Sequence, residues 1–298
     1  MASSKRTINL PGLILIYLIL IGAAVICILP MLNILAISFS DRIATDSGKI
    51  GLVPVGFTAN AYKLLFTDEK FLRSFGVSFL RIGLGIPLNI ILCVLMAYPL
   101  SISNKKFKAR TAYVWFFAFT LFFSGGLIPT YMLISELGLL NKIWALVLPG
   151  AVQTFFAILL LNFFRNLPNE MSESAFIDGA NHFQVLFKIY LPVSKPAIST
   201  VLLFALVYHW NSWFDGIIYM NTPDMYPLQS YLQVLLTGVS VLLNSTTISL
   251  KNADIIKTIS DRTVRSAEVF VGMIPIMIIY PFMQRFFIKG LVIGSVKG

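Results

Sequence analysis

Residues 173–180 read Glu173-Ser174-Ala175-Phe176-Ile177-Asp178-Gly179-Ala180, and Ile189-Tyr190-Leu191-Pro192 follow shortly after. The spacing is Glu-x-Ala-x-x-x-Gly, nine residues, then Ile-x-Leu-Pro. This polar, partly charged stretch lies between two long apolar segments, and it carries its own helix signals. Pro168 stands at a plausible first turn, and Glu170 and Glu173 near an N-terminus suit the helix dipole. Ala175, Phe176 and Ala180 give an apolar stripe, and Gly179 would end the helix or allow a turn. A second amphipathic piece is expected over residues 183–190, with Phe183, Leu186, Phe187 and Tyr190 at helical spacing. Leu191-Pro192 and Pro196 mark the entry into the next apolar segment. Periodicity alone leaves two readings open: a docking element, or an amphipathic loop lying on a membrane surface.

Outward from this stretch the chain is strongly apolar. Of its 298 residues 57% are hydrophobic and 12% are charged, with a mean hydropathy of +0.82. Soluble domains carry about a quarter charged residues, so the expected class is an all-α polytopic membrane protein. Spanning the hydrocarbon core takes roughly 20 mostly apolar residues. Six such segments are expected, at about 13–40, 74–103, 111–135, 143–165, 196–220 and 267–288, within a single domain covering 1–298. The first follows Lys5 and Arg6 like a signal sequence, but its apolar run is far longer than a signal core, and it is read as a retained helix. Ser124-Gly125-Gly126 and Pro129 interrupt the third, which is expected to bend or break there.

Charge sets the orientation. Lys105, Lys106, Lys108 and Arg110 fill one short loop with no acid, and Lys5, Arg6, Lys289 and Lys297 flank the termini. With six spans all of these, and the loop at 166–195, fall on one side. The positive-inside bias makes that side cytoplasmic, together with both termini. Stretches 41–73 and 221–268 are then long external loops. The net charge of +10 has this same cause. The basic residues are scattered in loops without basic–aromatic interleaving, so no nucleic-acid partner is expected. Cys27 and Cys93 each sit in an apolar run and are read as small packing residues. His182 and His209 are far apart in sequence and suggest no metal site. Arg81, early in the second span, is expected to snorkel or to pair inside the protein.

The loop, taken with its position and side, resembles the coupling loop of the carbohydrate-importer permeases of ABC transporters, the family of the maltose permease subunits. Glu173-Ser174-Ala175 and Ile177-Asp178-Gly179-Ala180 stand where that family has Glu-Ala-Ala and Ile-Asp-Gly-Ala. Lys188 to Pro192 and Lys195-Pro196-Ala197 match the continuation. Ile128-Pro129, Leu137-Gly138-Leu139-Leu140-Asn141 and Leu148-Pro149-Gly150 fit upstream. Trp210-Asn211 and the ending from Phe286 to Gly298 fit the second, shorter permease type. Ser174 replaces the usual Ala, one small residue for another. The resemblance covers nearly the whole chain, and its details favour the branch that imports oligosaccharides.

The resemblance implies a type I ABC importer permease fold in a bacterial cell membrane. It also implies a second permease, two ATPase subunits, an external solute-binding protein and a carbohydrate cargo. Glu173, Ala175, Asp178, Gly179, Ala180, Ile189, Leu191 and Pro192 would couple this chain to an ATPase. No phosphate-binding Gly-x(4)-Gly-Lys-Ser/Thr loop occurs, so ATP and Mg are expected on the partner ATPase, with no cofactor and no catalysis here. Trp210, Asn211, Trp213 and Asp215 crowd the outer half of the fifth span and are candidates for the sugar path. On one continuous helix Trp210 and Trp213 would share a side, as would Asn211 and Asp215. Tryptophans also anchor helices at the membrane interface, and that reading competes. The outer stretch 221–268, with Asn244-Ser245-Thr246-Thr247, is expected to meet the binding protein. A permease for a non-sugar solute such as amino acids or peptides is the alternative, and an intramembrane enzyme a distant one. Only scattered single polar residues occur in the spans, against the paired groups an enzyme site needs.

Overall fold

The computed structural model describes residues 10–243 and 259–295; Lys5, Arg6, Lys297 and the polar run Asn244 to Thr247 lie outside them. Among the described residues every regular element is helical. The described residues form fifteen α-helices: α1 Leu10–Ser38, α2 Arg42–Asp46, α3 Asn60–Thr67, α4 Glu69–Ser101, α5 Arg110–Phe122, α6 Leu127–Glu136, α7 Trp144–Val147, α8 Thr154–Arg165, α9 Asn169–Ile177, α10 His182–Val185, α11 Leu191–Val193, α12 Lys195–Asn211, α13 Phe214–Tyr219, α14 Leu228–Leu243 and α15 Asp261–Ser295. Among the described residues, three helices (α1, α4 and α15) are long and apolar enough to cross a membrane alone. Two sharply bent pairs raise that number to five. One of them is α5 with α6, bent by 110° at the Ser124-Gly125-Gly126 break expected from sequence.

The chain falls into two compact units: residues 1–68 with 235–273, and residues 69–234 with 274–298. In the first unit α1 is apolar along its length and buries only Ala36, Ile37 and Ser38 at its end. The segment beyond it is folded. Asp41 caps α2 through Ala44 N–H at 2.7 Å. Phe39 stacks on Phe57 and Tyr62, and Thr45 bonds Thr263 at the start of α15 at 3.1 Å. Gly56 has φ +63°, and a Cβ there would strike the Asp41 carboxylate.

The second unit is built on α4. Its inward stripe runs Phe71, Ser74, Ser78, Arg81, Gly85, Asn89, Cys93 and Ala97, the three- and four-residue steps of one helix face. Cys93 and Ala97 belong to a core with Phe156, Leu160, Phe164 and Val201 from α8 and α12. The polar members of the stripe bond backbone where neighbouring segments leave helical geometry. Ser78 Oγ accepts Leu228 N–H at 2.7 Å. Asn89 Nδ2 donates to the carbonyls of Gly150 and Ala151 at 2.7 and 2.8 Å. Irregular backbone at membrane depth is tolerated only where protein or water satisfies it, and α4 supplies that service.

Three stretches carry more local structure than their hydropathy indicates. Residues 143–165 are not one helix: α7 ends at Val147, and the Pro149-Gly150 segment separates it from α8. Proline and glycine at that point break the ladder. Residues 196–220 are not one helix either, because Ser212 is extended between α12 and α13. The stretch 221–268 is not all loop, since it holds α14 and the start of α15. Leu228, Tyr231, Leu232 and Leu235 recur at helical spacing in α14, and all four are buried.

Candidate functional site: the α9–α10 loop and the broken end of α12

The loop between α8 and α12 is a stack of short helical pieces. Pro168 precedes α9, and Glu170 sits in its first turn. At the other end Asp178 N–H returns to Ser174 O at 3.0 Å, Gly179 N–H to Phe176 O at 3.1 Å and Ala180 N–H to Ala175 O at 2.9 Å. Gly179 takes φ +82° with open space around it, so the left-handed turn, and not crowding, is what requires glycine. Asn181 and Gln184 then bond each other's backbone N–H at 2.8 Å, a reciprocal cap that starts α10. Sequence reasoning missed this Asn-x-x-Gln signal.

Residues 186–190 form a π-helical turn. It splits the expected amphipathic stripe. Leu186 and Tyr190 are buried, while Phe183 and Phe187 are exposed. Tyr190 packs edge-on against Tyr98 and Phe164, and Tyr98 Oη lies 3.1 Å from His182 Nδ1. A cavity of about 780 Å³ lies between this loop and the end of α4, lined by Leu95, Tyr98, Ile102, Phe107, Phe176 and Phe183.

The coupling candidates divide into two sets. Ala175, Ala180, Ile189 and Leu191 are half-buried and pack on the core. Glu173, Asp178, Gly179 and Pro192 are exposed. Glu173 lies 3.6 Å from Lys106, with both side chains more than half exposed. The outward apolar side chains are Ile177 at 86%, Phe183 at 67% and Phe187 at 58% exposure. Three large apolar side chains are thus exposed on an otherwise polar loop. Ile177 lay inside the recognised motif but had been given no coupling role.

The path candidates are not equivalent. Trp210 is 2% exposed and lies among Phe75 and Phe79 of α4. Asn211, the last residue of α12, is exposed, and Trp213 is 42% exposed. The break at Ser212 means that helical spacing does not relate Trp210 to Trp213, or Asn211 to Asp215. Asp215 lies in the first turn of α13, and its carboxylate is held by the fully buried Arg81: Nη1 donates to Oδ1 at 3.1 Å, and Nη2 donates to Oδ2. Arg81 Nε also donates to His209 Nδ1 at 3.4 Å. Because arginine only donates, His209 Nδ1 is an acceptor, and its Nε2–H donates to Asn89 Oδ1 at 2.8 Å. Arg81, Asp215, His209 and Asn89 thus form one buried chain of bonds. From sequence, Arg81 had been given either of two fates, and it takes the second, pairing inside the protein.

No protein-family model matches the chain. Over 284 residues it is 37% identical to the polygalacturonan/rhamnogalacturonan transport system permease protein YtcP of Bacillus subtilis (strain 168), covering 95% of this chain and 97% of that one. It is 39% identical over 277 residues to protein LplC of the same organism, covering 93% and 92%. Among solved structures it is similar to a chain of a bacterial ABC transporter involved in the import of the acidic polysaccharide alginate. That match has 28% identity and a TM-score of 0.83, and it covers 96% of this chain and 100% of the other.

Proposed function

Because the chain belongs to the permease proteins of sugar ABC transporters, we propose that it is the second permease subunit of a binding-protein-dependent importer for an oligosaccharide. It crosses the bacterial cytoplasmic membrane six times with both termini inside. Three lone spanning helices, the bent pair α5–α6, α12 and the short apolar helix α8 following α7 support that reading. The basic loop at 104–110 assigns the cytoplasmic side. A second permease completes the path, an external binding protein delivers the sugar, and two ATPase subunits hydrolyse ATP with Mg. The names of similar permeases, a polygalacturonan/rhamnogalacturonan transport system among them, favour a sugar over an amino acid or peptide cargo.

The observation that carries coupling is the left-handed turn at Gly179. It joins the end of α9 to the start of α10 across four residues and leaves Ile177, Asp178 and Phe183 outward. A rigid turn with outward apolar side chains is suited to a cleft in the ATPase. Motion of the ATPase then moves α9 and α10, and through the Tyr98, Phe164 and Tyr190 packing it moves α4 and α8. The test is a reconstituted importer carrying Gly179→Asp. Its permease should reach the membrane normally while uptake falls sharply. Full sugar-stimulated ATP hydrolysis and full transport would show that this loop is not the coupling element.

A further inference from the structure

The chain leaves helical geometry between Asn211 and Phe214 without a glycine or a proline. Ser212 has φ −71° and ψ 118°. Side chains from elsewhere bond two carbonyls at the break, of which Trp213 O also accepts Ile217 N–H at 3.4 Å. Arg81 Nη1 donates to Ser212 O at 3.4 Å, and Ser230 Oγ donates to Trp213 O at 2.7 Å. Arg81 reaches to both sides of the break, to His209 of α12 and to Asp215 of α13. Gly85 makes room for this, since a Cβ there would lie 2.4 Å from His209 Nε2. Asp215 in turn has both oxygens engaged: Oδ2 takes Arg81, and Oδ1 takes Arg81 and its neighbour Gly216 N–H at 2.9 Å. Little of that carboxylate is left for a sugar hydroxyl.

A buried ion pair is weak evidence for stability, because well-packed apolar residues of similar volume often do as well. What this pair does, and apolar residues could not, is grip a carbonyl, an imidazole and a carboxylate across a broken helix at once. We propose that Arg81 and Asp215 are positioning residues for the sugar path. They fix the α12–α13 break so that the amide of Asn211 and the indole of Trp213, both exposed, are presented to the passing oligosaccharide. Asp215 acts through Arg81 and does not touch the sugar. The inference rests on the proposed importer reading, with the broken end of α12 facing the path.

The test uses the whole importer in proteoliposomes, with its second permease, its ATPases and its binding protein. Rhamnogalacturonan-derived, arabino- and galacto-oligosaccharides serve as probes. Removing one charge would strand the other, so the main variant is Arg81→Met with Asp215→Leu, which leaves no unpaired charge. Asn211→Cys and Trp213→Cys are made separately in a Cys27→Ala, Cys93→Ser background and labelled with a membrane-impermeant maleimide.

In the assembled double variant the labelling rate at both positions should change, and the half-saturating sugar concentration should rise, by roughly three- to tenfold. That is the size of one or two lost hydrogen bonds. The maximal rate should fall less. Arg81→Lys should behave like the double variant despite keeping its charge, because an ammonium cannot span the partners of the planar fork. A merely structural pair would lower the yield of assembled complex and leave the half-saturating concentration unmoved. Unchanged labelling and half-saturation in the double variant, or full rescue by lysine, would overturn the proposal. Should the double variant fail to assemble, Arg81→Lys alone decides. Cysteines at 211 and 213 that stay inert in every state in the otherwise unaltered chain would overturn the path reading beneath it, and the positioning role with it.

Discussion

On α4 the polar side chains that turn inward meet partners within the chain. In the α9–α10 loop the apolar side chains of Ile177, Phe183 and Phe187 turn outward. The first region hides groups that lipid would penalise: Ser78, Arg81 and Asn89 each satisfy backbone or charge that broken helices leave open. The second exposes groups that water penalises. One surface is therefore complete, and the other is incomplete until a partner covers it. Substitutions should separate accordingly, with the α4 stripe affecting folding and the loop affecting coupling in a folded protein.

The sharpest break of that comparison is Asn89→Leu. It removes the partner of two carbonyls and of His209 Nε2. Gly150 O keeps Gln153 Nε2 at 3.3 Å, so two buried groups left unpaired at about 1–3 kcal/mol each should cost on the order of 2 kcal/mol or more. Detergent-solubilised protein should melt well below the parent, and membrane levels should fall. A near-native melting temperature with selective loss of coupling would put the stripe and the loop in one class.

Gly179 gives an intermediate effect. Nothing lies within 4 Å of a Cβ there, so backbone strain alone acts. Alanine in this left-handed turn should cost about 1–2 kcal/mol locally, and asparagine less. Uptake should therefore fall in the order glycine, asparagine, alanine, valine, with the melting temperature of the permease lowered by only a few degrees. A flat series in a transport assay would show that the turn geometry is not what the ATPase reads.

The smallest effect belongs to Lys106→Ala. Its pair with Glu173 is exposed on both sides, and such pairs contribute about 0–1 kcal/mol. Stability should hardly move by thermal unfolding. A large loss of uptake with stability intact would make Lys106 part of the ATPase contact and enlarge the docking surface beyond the loop.

These two regions also differ in how far they could be read from residues. The loop was legible because its chemistry is local: Pro168, Gly179 and the Ile-x-Leu-Pro end act within a few residues of themselves. The Ser124-Gly125-Gly126 break was legible for the same reason, and the chain bends there by 110°. The Pro149-Gly150 break carried the same punctuation but was absorbed into an expected span, because an apolar run of the right length outweighed it. The break at Ser212 had no local mark. It depends on Arg81 and Ser230, which are 131 and 17 positions away from the carbonyls they satisfy. Asn89 looked like a lone polar residue in an apolar run, and its three bonds lie 61 or more positions away. The exposed half of the loop stripe was missed because the π-helical turn at 186–190 shifts its register.

The most direct measurement places a charge where the loop is most open. Ile177 is 86% exposed on α9, and Ile177→Asp removes no contact with the core. In a reconstituted importer the expected result is a normally assembled permease pair with an unchanged melting temperature, and uptake and sugar-stimulated ATP hydrolysis both reduced at least tenfold, about 1.4 kcal/mol of lost docking. Full transport and full sugar-stimulated hydrolysis with a charge at that position would contradict the assignment of this loop as the coupling surface.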